Sequence, residues 1–128
     1  MVLELSPKKR LNLIKMIKIY HNSRCSKSRQ GVLVLENSGK KFQIIKYLEN
    51  VPSEKELTSI INLLGITPIQ LVRKTEKIWK EKFKDKKLTD IEIIKAMIEN
   101  PKLIERPIVI NDKKAVIGRP PENILSII

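Results

Sequence analysis

Apolar and polar positions alternate at Ile17-Lys18-Ile19-Tyr20, the period of two that marks a strand with one buried face. The alternation stops at His21-Asn22-Ser23-Arg24, a polar turn. Cys25 follows, and a helix is predicted from about Ser26 to Asn37, with Gly39 as its C-terminal stop. Phe42 to Tyr47 reads as a second strand. Two strands joined by a helix within about 30 residues imply parallel pairing through a crossover.

The middle of the chain has helical spacing. Ser53 and Glu56 form a capping box ahead of Leu57, Ile60, Ile61 and Leu64, and Gly65 ends the run. Thr67-Pro68 predicts a short helix reaching Arg73. A charged stretch from Lys74 to Lys87 is anchored by Ile78, Trp79 and Phe83. A second capping box, Thr89 and Glu92, leads a helix with Ile91, Ile94 and Ile98 on one stripe, ending at Asn100-Pro101. Alternation then returns: Ile108-Val109-Ile110 and Ala115-Val116-Ile117 predict an antiparallel hairpin turning through Asn111-Asp112. Gly118 breaks it, and Pro120-Pro121-Glu122 opens a final helix through Ile124, Leu125 and Ile128. The order is βαβ, a helical insertion at about residues 52–100, then ββα. That is the α/β order of a thioredoxin/glutaredoxin-like fold built on a mixed four-stranded sheet.

The 128 residues suffice for one domain with a real core. Residues 1–15 read as an N-terminal extension and residues 16–128 as the domain. No apolar run approaches the roughly 20 residues of a membrane span, and the basic N-terminal run is too short and interrupted for a signal peptide. A cytoplasmic protein is expected. Cys25 is the only cysteine, so a resolving thiol has to come from another molecule. Net charge is +12, a balance that suits an anionic substrate, an anionic surface or nucleic acid. The lysines at 77, 80, 82, 84, 86 and 87 surround Trp79 and Phe83, but helical spacing spreads them over several faces. No nucleic-acid partner is expected.

Cys25 stands where a strand hands over to a helix, with His21, Arg24, Lys27 and Arg29 within four residues. Free N–H groups and positive charge at a helix start stabilise a thiolate and can also hold an anion. The polar neighbours favour a nucleophile over a buried apolar cysteine. His21 suits a group that donates to the sulfur or fixes the loop. One Cys and one His without clustered carboxylates do not make a metal site. Ser28 occupies the second position of a Cys-x-x-Cys pattern, which excludes an internal dithiol cycle. The scarce arginines matter because a guanidinium fork binds a tetrahedral oxyanion through two parallel hydrogen bonds. Each of Arg73, Arg106 and Arg119 also has an acidic neighbour, Glu76, Glu105 and Glu122, with which a surface ion pair is the alternative.

These residues resemble the glutaredoxin-coupled arsenate reductases (the ArsC family) over about residues 16–128. The resemblance rests on His21-x3-Cys25-x3-Arg29, on Leu-Val-Arg-Lys at 71–74, on Glu-Arg-Pro-Ile-Val at 105–109 and on Gly-Arg-Pro-Pro-Glu at 118–122. Arg24, Ser26 and Lys27 depart from the small residues that flank the cysteine in better-characterised members. The resemblance implies a cytoplasmic, monomeric oxidoreductase of arsenic detoxification without a bound cofactor. Cys25 would form a covalent adduct with arsenate, while Arg73, Arg106 and Arg119 hold the oxyanion. His21 and Arg29 would shape the loop and keep the thiolate ionised, and Pro107 would be the cis-proline beside the cysteine. Glutathione would be co-substrate and glutaredoxin the partner that resolves the mixed disulfide. The same superfamily resemblance carries an alternative, a redox-related regulatory module that binds RNA polymerase and has no reductase activity.

Overall fold

A computed structural model describes residues 16–128; the expected extension, residues 1–15, lies outside the described residues. Strand β1 (Ile17–His21), helix α1 (Ser26–Ser38) and strand β2 (Phe42–Lys46) form the first unit. β1 and β2 are parallel, with Ile17 opposite Phe42 and His21 opposite Lys46. Strand β3 (Ile108–Asn111) runs antiparallel to β1 and to β4 (Lys114–Ile117), giving the order β2-β1-β3-β4. This is the mixed four-stranded α/β sheet that the patterning predicts.

The strand period assigns the two faces. Ile17, Ile19 and Val109 point to one side, where Leu35 of α1 and Ile124 close a small core. Tyr20 and Ile108 point to the other side, under a larger core that includes Leu57, Leu71, Met97 and Leu103. Each fully buried Leu or Ile contributes about 1.5–3 kcal/mol. α1 approaches the start of β3 closely: a Cβ added at Gly31 or Gly118 would stand 2.9 Å from Pro107 Cγ. The absence of side chains there seats Pro107, and Arg106 with it, against the second turn of α1.

The middle elements are α2 (Glu54–Leu64), α3 (Lys77–Lys82) and α4 (Asp90–Glu99). Ser53 Oγ accepts the Glu56 N–H at 3.1 Å, and Gly65 ends α2 in the left-handed region at φ 67°. Thr89 and Glu92 form the reciprocal capping box of α4, at 3.2 and 3.0 Å. Of the charged stretch only Lys77–Lys82 is α-helical, and Trp79 is buried with its ring stacked on Phe83.

Four local expectations are corrected. α4 buries Ile93, Ile94, Ala96 and Met97, while Ile91 is 57% exposed. The larger core, not the spacing of isoleucines alone, decides which stripe of α4 turns inward. The final segment is a 3-10 helix, Pro121–Ser126, and Leu125 is exposed. With three residues per turn, only Pro121 and Ile124 share its inward edge. The hairpin turns one residue later than expected, because Asn111 still pairs with Lys114 and Asp112 takes the positive φ of 58°. The helix expected to reach Arg73 is a four-residue 3-10 turn, Pro68–Leu71, after which Val72 pairs with Ile104 in an antiparallel bridge.

That bridge positions the site. The Arg73 N–H donates to the Leu103 carbonyl at 2.7 Å, and the Glu105 N–H to the Leu71 carbonyl at 2.9 Å. Arg73 and Glu105, 32 residues apart in sequence, thereby stand side by side.

Candidate active site

Cys25 is the N-cap residue of α1, in an extended conformation, and its sulfur makes no capping hydrogen bond. The loop closes on itself through the Cys25 N–H, which donates to the Asn22 carbonyl at 3.0 Å, and through the Arg24 N–H, which donates to Asn22 Oδ1 at 3.0 Å. No acidic residue lies in the first turn of α1. The sulfur is therefore half-buried at the positive end of a helix, with unpaired amides in reach.

Arginines complete the surroundings. Arg119 Nη1 lies 3.7 Å from Cys25 Sγ and donates to the Arg106 carbonyl at 3.3 Å. Arg106 is buried, its Nη1 donating to the Lys102 and Ile104 carbonyls at 3.0 and 3.3 Å. The Arg106–Pro107 bond is cis, and so is Arg119–Pro120. Burial works to push the Cys25 thiol up, but the Ser28 and Lys27 amides that face the sulfur, then Arg106 and Arg119, favour the anion and outweigh it. The thiol is held below its ordinary value.

The other expected residues sit further back. His21 is buried, and its Nδ1 is 2.6 Å from Ser28 Oγ, which also accepts the Asn22 N–H at 3.0 Å. Burial, then the charges of Lys46 and Arg29, hold the imidazole below its ordinary range, so at neutral pH it is uncharged. His21 thus anchors the loop through Ser28. Arg29 Nη1 donates to the Ser23 carbonyl at 2.9 Å, tying the same loop from α1. Arg73 bridges two carboxylates: its Nη1 is 2.9 Å from Glu105 Oε1 and its Nε 3.4 Å from Glu76 Oε1.

The roles of three residues are not legible in the sequence. Ser28 is fully buried and takes the position of a second cysteine in order to tie His21 to the loop. Glu105 gathers the charges of two arginines and one backbone amide: besides Arg73, its Oε1 is 3.7 Å from Arg119 Nε and accepts the Arg106 backbone N–H at 3.2 Å. Arg119 therefore turns to Glu105 and not to its sequence neighbour Glu122. Tyr47 is buried beside Asn22, its hydroxyl lacking a hydrogen-bond partner of good geometry. Burial, with the Arg106 and Cys25 charges acting in opposite senses, leaves that hydroxyl pushed up to about 12. The side-by-side Glu-Arg dipeptide is the available signal for Glu105, but only the Val72–Ile104 bridge gives it Arg73 to hold, and only the β3–β4 hairpin gives it Arg119.

A cleft of about 510 Å³ opens beside this loop, lined among others by Asn22, Arg24, Lys46, Lys102 and Arg106. Among the described residues no group of three His, Cys, Asp or Glu side chains is placed to hold a metal, and no helix is long and apolar enough to cross a membrane. A thiol stabilised as its anion, next to guanidinium groups and an open basic cleft, can attack an electrophilic centre that carries negatively charged oxygens.

Comparison with known proteins gives a consistent result. The model of the ArsC family matches residues 20–127. An Escherichia coli (strain K12) protein, uncharacterized protein YfgD, is 42% identical over 118 residues, covering 91% of this chain and 99% of its own length. An arsenate reductase of Haemophilus influenzae is 46% identical over 112 residues, covering 86% of this chain and 97% of its own. The structure of an arsenate reductase from Vibrio cholerae superposes with a TM-score of 0.84 at 45% identity, covering 89% of this chain and 98% of that one.

Proposed function

Since this chain belongs to the ArsC family, we propose that it is an oxidoreductase that reduces arsenate to arsenite, with Cys25 as the nucleophile. The observation that carries the reading is Arg119 Nη1 at 3.7 Å from a sulfur set at the start of α1. The Cys25 thiolate attacks arsenic, an S–As bond forms, and one arsenate oxygen leaves as water after taking protons from solvent. Arg106 and Arg119, with Arg73 behind them, hold the remaining oxygens and stabilise the charge that develops.

Reduction needs a second thiol, and the chain has none to offer. Glutathione thiolate attacks the Cys25 sulfur, the S–As bond breaks, and its electron pair stays on arsenic, which departs as arsenite. The two electrons come from two thiols, left joined as a mixed disulfide on Cys25. Glutaredoxin resolves that disulfide by thiol exchange. His21, Ser28 and Arg29 take no part in bond changes and hold the loop in which Cys25 sits.

The test omits glutaredoxin. With arsenate and glutathione alone, intact-mass measurement is expected to show one glutathione attached to the chain, mapped to Cys25, and glutaredoxin is expected to remove it and restore turnover. Arsenite formation with a thioredoxin system, while Cys25 stays unmodified by glutathione, would refute the choice of reductant.

A further inference from the structure

Two carboxylates stand inside a site otherwise built for an anion. Glu105 Oε1 faces Arg73 Nη1 at 2.9 Å and Arg119 Nε at 3.7 Å, and accepts the Arg106 N–H at 3.2 Å. Glu76 Oε1 faces Arg73 Nε at 3.4 Å and Arg106 Nη2 at 3.9 Å. Every one of the three arginines therefore has a glutamate oxygen against it. Both glutamates are largely covered, their side chains 25% and 26% exposed, so solvent screens these pairs less than ordinary surface pairs. With the thiolate included, two carboxylates and one sulfur anion cancel three guanidinium charges.

We propose that Glu105, assisted by Glu76, is a positioning residue that acts as an internal stand-in for the oxyanion. It holds the arginine forks open in the resting protein and weakens the binding of any tetrahedral anion that cannot react with Cys25. An entering oxyanion competes with these carboxylates for the guanidinium charges, and for the one N–H, on Arg73 Nη1, that Glu105 accepts, so its binding free energy is reduced by the contacts it displaces. For an unreactive anion of the same shape, such as inorganic phosphate, that loss lowers occupancy of the site. For a reactive oxyanion the same loss falls on the ground state, and charge developing after attack meets arginines already in place. The link to reaction rests on the function proposed above; the effect on anion binding does not.

The test is phosphate binding by titration calorimetry on the full chain at fixed ionic strength, comparing the wild-type protein with Glu105→Gln. The amide keeps the shape and an acceptor oxygen but removes the charge, and phosphate is expected to bind about tenfold more tightly. The Cys25 thiol of the variant is expected to titrate at lower pH than in the wild-type protein, because Arg119, the guanidinium beside the sulfur, no longer shares its charge with a carboxylate. A residue that only braces the fold would leave phosphate binding unchanged or weaker. Unchanged or weaker binding by Glu105→Gln with unaltered circular dichroism overturns the proposal. Should that variant fail to fold, Glu76→Gln carries the same expectation and the same refutation. Both readouts work without turnover, so tighter phosphate in a protein that does not reduce arsenate would sink the proposed function and leave this inference standing.

Discussion

Cys25→Ser is expected to reduce arsenate-dependent thiol oxidation to background, a loss of at least about a thousandfold, while the protein folds normally. A serine hydroxyl stays protonated at neutral pH and cannot form the sulfur bond through which two electrons reach arsenic. The variant is not expected to lose stability. Cys25 is the N-cap of α1 yet makes no capping hydrogen bond, and serine is among the preferred residues there. A gain of up to about 1 kcal/mol is expected, read as a higher urea midpoint. An inactive but equally or more stable variant separates lost chemistry from lost structure. Full activity in Cys25→Ser would contradict the nucleophile assignment.

Arg119→Ala is expected to lower kcat/KM for arsenate by about a hundredfold or more, the size of effect seen when one preorganised donor is removed from a developing anion. Its Nη1 is the side-chain atom measured against the sulfur, and its Nε is held by Glu105. The Arg119 side chain is 33% exposed, so truncation costs little in folding, unlike that of buried Arg106, whose Nη1 also satisfies two backbone carbonyls. The thiol is expected to titrate at higher pH in this variant because a stabilising donor has gone. Arg119→Lys restores charge without the planar fork and should recover the thiol shift more fully than the rate. Steady-state kinetics across pH checks both, and an unchanged rate with an unchanged thiol would remove Arg119 from the site.

Much of this arrangement is legible in the sequence because it is local. The alternation at Ile17–Tyr20, the caps at Ser53 and Thr89 and the glycines at 39 and 65 each act within one or two turns of chain. Cys25 at a strand-to-helix junction is likewise a short-range feature. What escaped depends on contacts between distant segments. The Val72–Ile104 bridge and the β3–β4 hairpin together turn Glu105 from a sequence neighbour of Arg106 into the shared partner of Arg73 and Arg119. Ser28 reads as a lost cysteine in the sequence, but its hydroxyl is what holds His21. The stripe of α4 departs from the isoleucine spacing because its orientation is chosen by the larger core, which that spacing does not describe.

The sulfur's ionisation is the premise shared by nucleophile, arginines and loop. Iodoacetamide reacts with thiolate and not thiol, so its rate with Cys25 against pH reports the midpoint directly. The helix-start amides and arginines that favour the anion hold the midpoint below that of an ordinary cysteine, so the reaction should persist as pH falls through the ordinary cysteine range and fade only further down. A midpoint at or above the ordinary cysteine value would contradict the mechanism.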